Sequence, residues 1–219
     1  MSKTNIRGDF PILATSSRGK PLTYLDNAAT TQKPQCVIDA IGSYYATFNA
    51  NVHRAAHEMA EKATAELEST RGSCAQFLNA RSIDEIIFTK GTTESINLVA
   101  NSVPTLLKKR RNIVISELEH HSNIVPWQLL AERHNLDVVA IGISDNGELD
   151  LEQARSLINE DTALVAITHV SNGLGVVNDV EAISKMAREN GALYLVDGAQ
   201  SALHFPINVE DIDCDFFVF

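Results

Sequence analysis

Positive charge is scarce in this sequence: 18 Lys and Arg stand against 28 Asp and Glu over 219 residues, a net charge of -10. A surface that acidic repels phosphate backbones and anionic lipid, which argues against nucleic-acid and membrane-surface partners. Long apolar runs are lacking too. Val138-Val139-Ala140-Ile141 is typical of the longest, far short of the ~20 residues needed to cross a bilayer. Met1 to Lys20 contains no apolar signal-peptide core, so nothing in it directs export. Cysteine is sparse and odd in number. Cys36, Cys74 and Cys214 show no paired spacing, which argues against a disulfide framework or a zinc finger and fits a reducing cytoplasm. Cys74 falls on an apolar helical stripe and reads as a small buried hydrophobe, while nothing local marks Cys36 or Cys214 as a nucleophile. There is no internal repeat, low-complexity tract or Pro/Gly/Ser-rich linker, and 44% of the residues are hydrophobic. Disorder is thereby excluded, and the chain is long enough to bury a substantial core.

What the sequence does contain is an alternation of two hydrophobic periods. Pro34 opens a helical stretch toward Phe48. A longer helix follows, with Met59, Ala63, Leu67, Thr70, Cys74, Phe77 and Leu78 at spacings of three and four, which places them on one face. Strands are expected at Glu85–Thr89, Asn112–Ser116, Asp137–Ile141, Ala163–Thr168, Ala192–Val196 and Asp215–Phe219. Helices are expected at Thr93–Leu107, Asn123–His134, Leu151–Ile158 and Asp179–Asn190. Several strands, such as Ala163-Leu164-Val165-Ala166-Ile167, are apolar throughout rather than alternating. Such strands are covered on both faces, so the fold class is α/β with a mostly parallel sheet between helix layers.

Ligands of open parallel sheets bind beyond the carboxyl ends of the strands, which makes those positions informative. Lys90-Gly91-Thr92-Thr93-Glu94-Ser95 follows the first expected strand and Glu117-Leu118-Glu119-His120-His121-Ser122-Asn123 the second. His169-Val170-Ser171-Asn172 and Asp197-Gly198-Ala199-Gln200 follow two later ones. Gly91-Thr92-Thr93 at a helix start offers free N–H groups, hydroxyls and a positive dipole end, as a phosphate cradle requires. Taken by itself it fits an ordinary N-cap better. No Walker lysine and no G-x-G-x-x-G follows a strand, which disfavours a nucleotide site. Asp197, directly after an apolar strand, needs a cationic or N–H partner: a helix terminus, an arginine or a protonated ring nitrogen. Gln200 and Asn172 can add neutral hydrogen bonds or cap turns. His120 and His121 can present a ring to a planar ligand or serve as polar loop residues. His53 and His57 stand four apart and would share a face if helical. No third metal ligand accompanies them, and Glu58 is misplaced for H-E-x-x-H.

Together these segments resemble the class V aminotransferase family of pyridoxal-phosphate enzymes, and most closely its Suf-type (group II) cysteine desulfurases. The resemblance is carried in order by Tyr24-Leu25-Asp26-Asn27-Ala28-Ala29-Thr30, Asn51-Val52-His53-Arg54, Gly91 to Asn97, Glu119 to Trp127, His169 to Asn172 and Val196 to Gln200, and it runs from about Phe10 to the last residue. It implies an N-terminal segment over 1–20 and, over 21–219, a fold-type I large domain that binds pyridoxal 5′-phosphate. It further implies that Thr92 and Thr93 hold the cofactor phosphate, His120 stacks on its ring, Asp197 pairs with the ring N–H, Gln200 bonds the phenolate oxygen and Asn172 lies nearby. Ala28, Ala29, His53 and Arg54 would lie on the substrate side. The implied reaction takes sulfur from L-cysteine, leaves alanine and an enzyme persulfide, and feeds a sulfur-acceptor protein for iron–sulfur cluster assembly. A cytoplasmic homodimer is implied as well.

The sequence departs from that pattern at its end. In the family, the lysine that attaches the cofactor follows the strand matched by Asp215–Phe219, and the nucleophilic cysteine and the arginine that grips the substrate carboxylate come later, in a small C-terminal domain. The expectation is therefore an N-terminal, catalytically inactive part of the enzyme. Lys90, the one lysine beside a site motif, is expected to add charge near the phosphate or face solvent rather than reach the aldehyde. Lys108-Lys109-Arg110-Arg111 stands where relatives usually carry a Gly-Asp turn. A selenocysteine lyase, another class V enzyme, or a non-catalytic binding module remain alternatives.

Overall fold

The apolar segments assemble, in a computed structural model that describes residues 6–107 and 110–219, into a parallel sheet covered on both faces. Lys108 and Lys109 of the basic run lie outside the described residues. The chain divides into two units, Met1–Gly72 and Ser73–Phe219. In the first, β1 (Ser16–Ser17) and β2 (Lys20–Pro21) form a hairpin whose turn residues Arg18 and Gly19 both have positive φ, the backbone demanded by a two-residue turn of matching twist. Pro34 caps α1 (Gln35–Thr47), its missing N–H being one that a helix start leaves unpaired anyway. The helix α2 (Glu58–Leu78) begins in the first unit and ends in the second. Its buried positions include Ala60, Ala63, Ala75 and Leu78, whereas Met59 and Phe77 of the expected stripe are about half exposed. Cys74 is half-buried.

The second unit continues with α3 (Thr92–Ser102), β3 (Asn112–Ser116), α4 (Val125–His134), β4 (Asp137–Ile141), α5 (Leu151–Leu157), β5 (Thr162–Thr168), α6 (Val180–Glu189), β6 (Leu193–Asp197), α7 (Val209–Ile212) and β7 (Phe216–Val218). The sheet order is β4-β3-β5-β6-β7, parallel throughout. Every residue of β5 is buried. Because side chains alternate across a strand, Leu164 and Ala166 meet Ile96, Val99, Trp127 and Leu130 from α3 and α4 on one face. Val165 and Ile167 meet Ala154, Ile183 and Ala187 from α5 and α6 on the other. Burying each large apolar side chain of this kind contributes ~1.5–3 kcal/mol.

Strand order reverses between β3 and β5: the chain steps outward from β3 to β4, then returns past β3 to β5. The carboxyl ends of β3 and β5 thus flank the crevice where open α/β sheets place ligands. Two expected elements differ. Glu85–Thr89 is assigned to no strand: Ile83–Glu85 is a 3-10 turn and residues 86–89 follow it outside the sheet, with Ile87 and Phe88 exposed. Its apolar pattern suits a strand, but no described strand lies beside it to pair with. The expected helix over Thr93–Leu107 ends at Ser102 and resumes as a 3-10 turn at Pro104, because proline cannot donate to the helical ladder.

Candidate functional site

Strand ends bring most of the expected residues to one edge. Asp197 closes β6 opposite Thr168 of β5, and its carboxylate is almost wholly buried. Oδ1 accepts from the Ala199 N–H at 3.0 Å. Burial raises the pKa of Asp197, and the Ala199 N–H and the field of His120 lower it. His120 and Asp197 are therefore within electrostatic reach of each other. The His120 ring is exposed, and its Nδ1 accepts the Ser122 N–H at 3.2 Å and meets Ser122 Oγ at 2.8 Å. A backbone N–H donating to Nδ1 leaves the neutral ring's proton on Nε2. His121 lies edge-on at 6.0 Å between centroids.

Gly91 precedes α3 at φ +143°, and no side chain caps the helix. A left-handed backbone of that kind favours glycine, so the N–H groups of the first turn stay uncapped. Thr92 is half-exposed and Thr93 exposed. Since α3 runs back toward the start of β3, its N-terminus lies at the carboxyl edge of the sheet. Glu94 reaches back to the Lys90 N–H at 2.5 Å, and Lys90 is exposed. Asn172 is exposed in a loop closed by the Val170–Val177 bridge, and half-buried Gln200 precedes the Ser201–Leu203 turn.

The other expected residues fall in the first unit. Ala28 and Ala29 sit in a turn pinned by Tyr24, whose hydroxyl donates to the carbonyls of Asp26 at 2.9 Å and Thr30 at 2.7 Å. His53 adopts a left-handed backbone, and its Nε2 lies 3.2 Å from Glu68 Oε1. Arg54 is exposed. His53 and His57 do not share a helix face. Both precede α2, and His57 uses Nδ1 to accept the Ala60 N–H at 3.2 Å as a cap. Among the described residues no group of three His, Cys, Asp or Glu is placed to hold a metal.

Glu119 is the residue that the sequence reading passed over. It lies at the switch-point crevice, 8% exposed. Its Oε1 accepts from Ser116 Oγ at 2.5 Å, at the end of β3, and from the Thr168 N–H at 2.9 Å on β5. Its Oε2 accepts from Asn123 Nδ2 at 2.6 Å, and Asn123 Oδ1 accepts from Trp127 Nε1 at 2.8 Å. Burial, with a smaller push from Asp197, drives its pKa up to about 7 against these three donors. The sequence signal was an acid three residues past the end of an apolar strand. Its partners, one of them a backbone N–H 49 residues away, leave no local pattern.

His169 continues from β5. Its N–H donates to the Asp197 carbonyl at 2.8 Å, its ring meets Phe205 edge-on at 5.3 Å, and its buried Nδ1 has no hydrogen-bond partner among the described residues. Burial lowers its pKa. A cavity of about 380 Å³ lies elsewhere, lined in part by Arg81, Ile86, Arg188, Asp213, Cys214 and Phe217. None of the strand-end residues lines it. Burial pushes the Cys214 thiol up to about 12, which makes it a poor nucleophile.

The family profile of aminotransferase class V matches residues 23–219. A curated cysteine desulfurase of Pectobacterium atrosepticum is 48% identical over 215 residues, which are 98% of this chain and 53% of that protein. The apo structure of a cysteine desulfurase from Thermococcus onnurineus superposes with a TM-score of 0.89 at 40% identity, covering 97% of this chain and 51% of that one. For the Escherichia coli cysteine desulfurase CsdA in its S-sulfonic acid form, the TM-score is 0.85 at 36% identity, over 97% and 52% of the two chains. The chain thus spans about half the length of the relatives it matches.

Proposed function

This chain belongs to the class V aminotransferase family, and we propose that it carries the cofactor-binding part of a cysteine desulfurase that takes pyridoxal 5′-phosphate at the carboxyl edge of its sheet. The observation that carries the reading is Asp197: a carboxylate 4% exposed at a strand end, with Oδ1 held by the Ala199 N–H and no basic side chain paired with it among the described ion pairs. A buried carboxylate in that state calls for a cationic N–H. The uncapped start of α3, opened by Gly91, suits a phosphate for the same electrostatic reason that any helix N-terminus suits an anion.

In this reading Thr92 and Thr93 bind the phosphate, and the exposed His120 ring, steadied by Ser122, offers a flat wall. Asp197 holds a proton on the ring nitrogen. Gln200 and Asn172 supply neutral hydrogen bonds to the phenolate side. The first unit carries Ala28, Ala29, His53 and Arg54, for which family resemblance supplies a substrate-side role. When bound, the cofactor supplies an electron-accepting ring that stabilises negative charge on the substrate α-carbon. L-cysteine as substrate is supported by the relatives' name of cysteine desulfurase, and a protein sulfur acceptor, a role in iron–sulfur assembly, a homodimeric state and a cytoplasmic setting rest on the family resemblance and belong to the same proposal.

The test is titration of pyridoxal 5′-phosphate into the 219-residue chain, followed by absorbance and by emission of Trp127. Saturable binding is expected, with inorganic phosphate competing. Asp197→Ala should weaken it ~10–100-fold, the loss of one charge-assisted hydrogen bond. Equal binding by Asp197→Ala and by the Thr92→Ala/Thr93→Ala double variant would overturn the assignment.

A further inference from the structure

We propose that Glu119 is a positioning residue that ties the ends of β3 and β5 together behind His120 and exchanges one proton in step with the charge on Asp197. The inference deepens the reading of Asp197 as partner of a cationic ring nitrogen and rests on it. Three geometric facts carry it. Glu119 bridges the two strands whose ends form the switch-point crevice, through Ser116 and Thr168. It is the immediate chain neighbour of His120, and Asn123, which it holds, ends the turn that His120 begins. It is buried, and the Thr168 whose N–H it accepts is the register partner of Asp197 on β6.

Its hydrogen bonds define where a proton can sit. The Thr168 N–H and the Asn123 amide are fixed donors, the latter because Asn123 Oδ1 is committed to Trp127. Ser116 Oγ is the adaptable partner. It donates to an ionised Glu119 and accepts from a protonated one while the Leu118 N–H also points at it, at 3.2 Å. Around neutral pH burial leaves the carboxyl poised between these states. The charged and titratable groups around it are few. Asp197 and Tyr194 come from β6, and Glu119 raises the Tyr194 pKa. His169 follows β5, and His120 and His121 flank the turn. From α4 comes neutral Trp127, and Glu94 of α3 is turned to the Lys90 N–H.

Two acids that repel across a buried gap do not ionise independently. A cation paired with Asp197 cancels that repulsion, so Glu119 gives up its proton more readily. By linkage, ionised Glu119 strengthens the binding of that cation. Binding of a ring N–H at Asp197 is thus expected to release a proton from Glu119, and affinity is expected to rise with pH as Glu119 ionises.

Trp127, the chain's single tryptophan, reports on this chain of bonds through Asn123. The experiment follows Trp127 emission and the carboxyl ¹³C signals of glutamate-labelled chain against pH, first without ligand. One glutamate should titrate near pH 7 together with an emission step. Glu119→Gln should abolish both, and Asp197→Asn should move the midpoint down. Ser116→Ala keeps the carboxyl but removes a donor to its charged form, so it should move the midpoint up, which keeps the test open if Glu119→Gln fails to fold. An emission step that survives Glu119→Gln would identify a histidine instead and overturn the proposal, as would a midpoint indifferent to Asp197→Asn.

The second arm adds saturating pyridoxal 5′-phosphate, which should lower the midpoint. A carbocyclic analogue with C–H in place of the ring nitrogen should not. Saturable binding that leaves the midpoint unmoved overturns the link to Asp197's ligand. No saturable binding, with the ligand-free titration intact, overturns the cofactor reading and supports the Glu119–Asp197 coupling.

Discussion

Glu119 and His169 are buried within one strand-end of each other and push pH-dependent stability in opposite directions. The folded chain raises the Glu119 pKa from 4.5 to about 7, so between those values the folded state binds more proton than the unfolded one. Its contribution is fully present below about pH 4.5 and is lost as pH rises to about 7, a swing on the order of 3 kcal/mol. Asp197, raised from 3.8 by burial, acts in the same direction at lower pH. His169 is lowered from 6.5 by burial, so its contribution is present above 6.5 and is lost as pH falls. Urea unfolding of the wild type and Glu119→Gln across pH 4–8 separates them. The wild-type advantage should shrink steadily as pH rises, and a constant difference would contradict the burial argument. The sequence announced Asp197 through its place after an apolar strand. It did not announce Glu119, whose environment is made by a hydroxyl and a main-chain N–H from another strand.

At the level of elements, the amino edge of the sheet is held by a residue that looked like a departure from pattern. Arg110 Nη1 donates to the carbonyls of Glu160 at 2.5 Å, Asn190 at 2.8 Å and Thr162 at 3.1 Å, and Nη2 to Gly191 at 3.4 Å. One guanidinium thereby ties the approach to β3 to the starts of β5 and β6. Arg110→Ala should lower unfolding free energy by ~2–3 kcal/mol, and Arg110→Lys should recover less than half, since a point ammonium cannot serve so many acceptors at once. A urea midpoint unchanged in Arg110→Ala would show the clasp to be incidental. Carbonyl partners 50 to 81 residues away have no signature in sequence. By contrast β3 and β4 were legible to the residue, because short apolar strands bounded by polar turns announce themselves. The segment after Glu85 had the same pattern, but a ladder needs a neighbour as well as a sequence.

Across the whole molecule, apolar burial is unevenly shared. Within residues 6–72 the fully buried hydrophobics are Ala60 and Ala63, and α1 leaves Val37, Ile38, Ile41 and Tyr45 exposed. The second unit holds two large clusters, one on each face of the sheet. Local opening free energy follows buried contact. Amide exchange measured by mass spectrometry should therefore show α1 exchanging orders of magnitude faster than β3, β5 and β6, and equal protection would refute this reading of the two units.

The all-parallel sheet carries a further consequence for how the chain reaches this state. Among the described residues the five-stranded sheet has no antiparallel pair, so its neighbouring strands must wait for an intervening helix to cross over, and such non-local pairing is slow to form. Thr162 to Thr168 waits longest for cover, since each of its seven residues ends up buried between two helix layers and two strands. Until then the same stretch is an uncharged, proline-free run of β-branched and aliphatic side chains, the kind that stacks with copies of itself. The strand that anchors the finished core is thus the chain's main exposure to aggregation during synthesis. Substitutions that slow docking of α4 or α6 would be felt first as lost soluble yield, before any change in the folded structure.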